Sequence, residues 1–142
     1  LERKQTPSTI QQMKSYLGRT IILVSDYKKA FNFYRKNFGF SAIFDYTTSD
    51  GERYLHIGTD PQNSCGIWFL EAKTDEQKSH VGKQTGGLPL LVIYTTSLEG
   101  QYDKLKANDV KIVKEPEEQA QFKYFHCHDL YGNELIITEL KD

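Results

Sequence analysis

A chain of 142 residues, 38% hydrophobic and 13% aromatic, holds enough apolar material for the core of one ordinary domain. Its net charge of −1 excludes the basic stripe on which nucleic-acid binding depends. The longest apolar run, LPLLVIY from Leu88 to Tyr94, is too short to cross a bilayer.

Two cysteines, Cys65 and Cys127, form no CxxC pair, and no charged-then-apolar signal segment opens the sequence. Both features point to a reduced, cytoplasmic compartment. Residues 1–17 read as a polar N-terminal extension ahead of a single domain at 18–142. Within the extension, PSTIQQMKSYL would form a short helix capped by Ser8 or Thr9; equally, Met13 would be the natural start and the residues before it an upstream extension.

From Arg19 to Val24, RTIILV has the β-branched and aliphatic content of a half-buried strand. Ser25 and Asp26 supply capping oxygens for a helix whose Tyr27, Ala30, Phe31, Tyr34 and Phe38 gather on one face. Gly39 provides the left-handed stop. Three strands follow, SAIFDYT, ERYLHIG and CGIWFLEA, parted by the turns SDG and TDPQNS.

The same order then returns. LPLLVIY is a strand, and TTSLEGQYDKLKAND is a helix with Thr96 and Glu99 at capping-box spacing and Leu98, Tyr102 and Leu105 as its buried stripe. VKIVKEP, FKYFHCH and ELIITEL complete the set, with DLYGN turning the last hairpin. Repeat one spans about 18–72 and repeat two about 88–140; residues 73–87, KTDEQKSHVGKQTGG, read as a polar linker or flap. The expected fold is α+β: two βαβββ modules building a curved, mostly antiparallel eight-stranded sheet around a cavity.

The stretch IILVSDYKKAFNFYRKNFGF resembles the opening signature of the vicinal-oxygen-chelate superfamily of glyoxalases, bleomycin-resistance proteins, fosfomycin-modifying enzymes and extradiol dioxygenases. FHCHDLYGNELIITEL resembles its closing strand pair, in which a DPxGN turn precedes an alternating strand. The resemblance covers about residues 18–140 and does not choose a chemistry, because this fold hosts several. In metal-dependent members four side chains in the cavity hold a divalent ion. The positions that match here carry Arg19, Trp68, Leu88 and Ile136, none of them a metal ligand. The resemblance therefore implies no cofactor, and also a homodimer, since members commonly pair through sheet edges or shared sites.

Strand alternation turns Arg19, Ile21 and Leu23 toward the cavity, with Trp68 and Leu70. Leu88, Leu90 and Val92 join from the second repeat, then Glu134, Ile136 and Thr138. By resemblance Phe125 and Cys127 face the helix, which leaves Tyr124, His126 and His128 toward the cavity; Tyr54 and His56 would do likewise. The expected ligand-binding residues are Arg19, Trp68, Leu88, Tyr124, His126, Glu134 and Ile136.

Arg19 would grip an anion in two-point fashion, or else form an internal salt bridge with Glu134 or reach solvent. Trp68 would stack on a planar ligand, or fill the space of an absent metal. His126 and His128 are the candidate catalytic residues as general acid or base; with Glu134 they would alternatively make a displaced two-His-one-carboxylate metal site, or stand as ordinary half-buried polar residues.

The expected function is metal-free binding of a small, aromatic or anionic molecule, as in drug or metabolite sequestration. Bleomycin binders are markedly acidic proteins, whereas this chain is nearly neutral, so the drug does not follow. The alternatives are a lyase or oxidoreductase using the displaced ion, and a metal-free enzyme with a histidine base.

Overall fold

A computed structural model describes residues 12–60 and 65–142. The caps Ser8 and Thr9, and most of the turn TDPQNS, lie outside the described residues, and residues 13–17 of the expected N-terminal helix are not helical.

The first repeat runs β1 (Arg19–Val24), α1 (Tyr27–Phe38), β2 (Ser41–Thr47), β3 (Arg53–Gly58) and β4 (Gly66–Glu71). Asp26 caps α1 by accepting from the Lys29 amide, and Gly39 ends it at φ 73°, a conformation that costs a residue without Cβ nothing. The second repeat runs β5 (Pro89–Tyr94), α3 (Leu98–Ala107), β6 (Ile112–Glu118), β7 (Phe122–His128) and β8 (Glu134–Leu140). Its helix is capped by Ser97, which accepts from the Gly100 amide, and not by Thr96. Thr95 Oγ1 takes the Ser97 amide instead, a hydroxyl turn that moves the cap one residue on.

Eight strands are present, but they form two sheets of four with matching orders, β1-β4-β3-β2 and β5-β8-β7-β6. In each sheet the first and last strands of the repeat run parallel and the other pairs antiparallel. Each helix covers one face of its own sheet. On these faces Ile22, Val24, Leu55, Phe69, Phe125, Leu135 and Ile137 are fully buried and belong to one cluster that spans both repeats. The opposite, open faces do not close on one another within the chain: Phe44 is 48% exposed on one and Val92 55% on the other.

The repeats are joined on the helix side. Gln101 Nε2 donates to the Asn37 carbonyl at 2.6 Å, and Tyr34 Oη donates to Asp129 Oδ2 at 2.8 Å. Asp129 is the hub of the DLYGN turn, also accepting from the Tyr131 and Asn133 amides and from Asn133 Nδ2.

Residues 73–87 are more than a linker. They carry α2 (Asp75–His80), whose Thr74 and Gln77 form a reciprocal capping box. Beyond it, Gln84 lies along the outer edge of β1: the Leu23 amide donates to Gln84 Oε1 at 2.9 Å, and Gln84 Nε2 donates to the Ile21 carbonyl at 3.0 Å. One side-chain amide thus stands in for a strand on that edge. Gly82, at φ 78°, packs its Cα against the Tyr131 carbonyl, 2.0 Å from where a Cβ would stand.

Candidate functional site

The open face of the first sheet is an aromatic array. Cross-strand register sets Phe44 opposite His56, His56 opposite Trp68, and Tyr46 opposite Tyr54. The ring centroids lie 5.1 Å apart for Phe44–His56, 4.8 Å for His56–Trp68, 5.9 Å for Tyr54–Trp68 and 6.4 Å for Phe44–Tyr46.

Arg19 enters this array across a glycine. It pairs in register with Gly66 on β4, and a Cβ on Gly66 would stand 3.2 Å from Arg19 Cδ. Because that Cβ is missing, the arginine stem crosses β4 and reaches β3, where Nε donates to His56 Nδ1 at 3.0 Å. Nη1 donates to the Gly18 carbonyl at 2.7 Å. Among the described residues Arg19 makes no ion pair with a carboxylate, Glu134 included.

A guanidinium only donates, so His56 Nδ1 must accept and Nε2 carries the proton. Burial, and then the Arg19 charge, hold the His56 pKa below its ordinary value. The Nε2–H of His56 and the Nε1–H of Trp68 are both shielded from solvent and have no hydrogen-bond partner among the described residues. An unmet buried donor costs about 1–3 kcal/mol, so two on neighbouring rings could each take an acceptor.

The open face of the second sheet is polar in a different way. His126 Nδ1 lies 2.5 Å from Glu134 Oε2. A carboxylate accepts, so Nδ1 donates. Lys114 pairs with Glu117 at 2.7 Å, and Tyr124 Oη donates weakly to the same carboxylate at 3.4 Å. Ile136 sits beside this group, in register with His126 and Val92.

Several expected positions fall elsewhere. Leu88 precedes β5 and is 68% exposed. Pro89 has no amide to give the ladder, the register slips between Pro89 and Leu91, and Leu90 packs against the core. His128 ends β7 and lines a separate groove with Lys36, Asn37 and Lys111, on the helix side of the molecule. Among the described residues it makes no ion pair with Glu134, and no three His, Cys, Asp or Glu side chains gather in a metal-holding group. The groove has a volume of about 690 Å³, but its Asp129 is fully engaged and its lysines are exposed, so nothing there asks for a ligand as strongly as the first open face.

The donor set at Arg19, Trp68, Leu88 and Ile136 does not fit a divalent ion. The guanidinium has no lone pair and is already engaged, the indole offers only N–H, and two aliphatic chains offer nothing.

Phe44, Tyr46 and Gly66 were outside the expected site. The cross-strand pairing of aromatic residues is the signal that finds the first two; Gly66 shows only once the strand order is known.

The family model for the Glyoxalase/Bleomycin resistance protein/Dioxygenase superfamily matches residues 16–137. An uncharacterized protein of Shewanella frigidimarina (strain NCIMB 400) is 28% identical over 131 residues, covering 92% of this chain and 97% of the relative. The crystal structure of UcmS2 superposes with TM-score 0.74 at 21% identity, over 89% of this chain and 98% of that one. TnmS3, an antibiotic binding protein from Streptomyces sp. CB03234, gives TM-score 0.71 at 19% identity, over 92% and 99% of the two chains.

Proposed function

Since the chain belongs to the Glyoxalase/Bleomycin resistance protein/Dioxygenase superfamily, we propose that it is a metal-free binding protein that sequesters a small molecule in the cytoplasm. The observation that carries this reading is the five-ring array of Phe44, Tyr46, Tyr54, His56 and Trp68 on an open sheet face. Aromatic faces left half-exposed beside unmet N–H donors are costly in a free protein and suited to a flat guest. A structural relative described as antibiotic binding agrees with that use of the fold.

A second copy of the chain is the natural cover for the open faces, because Val92, Tyr94 and Leu140 stand 55%, 68% and 58% exposed on the second. The ligand would then be held between the first face of one chain and the second face of its partner. Sedimentation at micromolar concentration tests this; a mass matching one chain overturns it.

The metal-free part is tested by elemental analysis of untagged protein purified without chelator. Metal below about a tenth of an equivalent is expected, even after incubation with zinc, nickel, manganese and iron and desalting. Near one equivalent the reading falls, and His126 and Glu134 become the residues to mutate. A thermal-shift screen of aromatic small molecules then tests binding itself; silence across it overturns sequestration.

One observation favours a second reading. Glu134 accepts from His126 Nδ1 and orients the ring, the arrangement of a histidine held by a carboxylate in acid–base catalysis. Turnover of any bound compound that is lost in His126→Gln would establish an enzyme in place of a binder.

A further inference from the structure

We propose that the open face of the first sheet recognises a planar anion, an aromatic carboxylate or its equivalent, through Arg19, His56 and Trp68. The inference rests on the small-molecule reading above and adds the charge and shape of the guest.

Its ground is an imbalance of donors over acceptors. Arg19 offers a permanent positive charge, and no carboxylate on the described face pairs with it. His56 is held by Arg19 in the tautomer whose free nitrogen donates. Trp68 can only donate. The two unmet donors sit on rings whose centroids are 4.8 Å apart. A carboxylate supplies lone pairs on two oxygens and the compensating charge; an ammonium group would meet three donors and a like charge.

The rest of the guest is set by the rings. Tyr54 lies against Trp68, and Phe44 and Tyr46 continue the array toward the edge of the sheet. A flat apolar body stacks there while its acidic group turns toward the donors. Phe44 covers His56 at 5.1 Å and is 48% exposed, so rotation of one edge-strand side chain opens the way in.

The carboxylates of the second face, Glu117 and Glu134, already have partners in Lys114 and His126, so either would have to share its charge to answer the first face across a dimer.

Trp68 is the sole tryptophan, so its indole N–H gives a single assigned resonance at the site. The test titrates the unmodified full chain with 2-naphthoate, 2-naphthalenemethanol and 2-naphthylmethylammonium, by calorimetry and by following that resonance. We expect the acid to bind about tenfold or more tighter than the alcohol and to move the indole resonance downfield, with the ammonium weakest. In Arg19→Gln the acid loses its advantage over the alcohol. Equal binding of acid and alcohol, or preference for the ammonium, overturns the anion proposal and leaves small-molecule binding standing. An indole resonance unmoved by all three overturns it too; the broader reading then falls only if the aromatic screen is also silent. The ligand series needs no variant, so the outcome does not depend on how Arg19→Gln folds.

Discussion

The two open faces come from the same sequence of elements and end in opposite electrostatic states. On the second sheet the polar groups pair within the face: His126 with Glu134, Lys114 with Glu117. On the first, among the described residues, Arg19 has only a neutral histidine and a carbonyl, and two N–H groups have no partner. A repeat of the backbone therefore does not repeat the chemistry. The fold supplies two equivalent platforms, and side chains complete one internally while leaving the other to be completed from outside.

The largest expected effect falls on the joint that holds the platforms in one body. Asp129→Ala removes the acceptor of four hydrogen bonds and strands Tyr34 Oη and Asn133 Nδ2 in the core, so unfolding stability should drop by about 3 kcal/mol or more. Urea denaturation measures it; a change under about 1 kcal/mol would mean the joint carries little.

Next comes Gly82→Ala, which drives a Cβ into the Tyr131 carbonyl at a positive φ. A loss of about 2 kcal/mol is expected, with the melting point falling accordingly.

Ile21→Glu tests the difference between the faces directly. It sets a carboxylate two residues from Arg19 on the same, half-exposed strand face and so makes the first platform resemble the second. Stability should change by less than about 1 kcal/mol, as for other part-exposed ion pairs, while naphthoate affinity falls about tenfold. Unchanged affinity would detach Arg19 from recognition.

A smaller effect follows from His56. Its folded pKa lies below the ordinary value of 6.5, so the folded form resists the proton that the unfolded chain accepts. This contribution is complete above the unfolded value and is lost as pH falls toward the folded one. Stability measured between neutral pH and pH 5 should decline less steeply in His56→Gln than in the parent.

The smallest change is chemical and leaves both faces intact. Burial, and then Asp129, push the Cys127 thiol up to about 12, whereas Cys65 is exposed. Alkylation of native protein at pH 8 should add one group, on Cys65. Two would place Cys127 within reach of solvent.

Much of this architecture was legible beforehand because it rests on local rules. SAIFDYT, FKYFHCH and ELIITEL, rich in β-branched, aliphatic and aromatic residues, appear as strands with the expected bounds. The flanks of Asp26 and Gly39 bound α1 for reasons that act within one turn. The partner of Arg19 was not legible, since it depends on β4 lying between β1 and β3 and on a glycine at the crossing point. Glu134, one of the partners weighed for Arg19, lies in the other sheet and is held by His126. Residues 73–87 looked unstructured because their polar composition hid a signal that was present: Thr74 and Gln77 at capping-box spacing. The reach of Gln84 to β1, in contrast, left no local trace.

That glutamine also has a bearing on how the protein is made. All four strands of the first sheet have left the ribosome once Glu71 has, yet the outer edge of β1 still shows open backbone groups at Ile21 and Leu23 until Gln84 follows. In that interval a nascent chain carries an unguarded strand edge that a neighbour on the same messenger can extend. The connector closes it before the second repeat begins, so that edge is guarded before the second half exists.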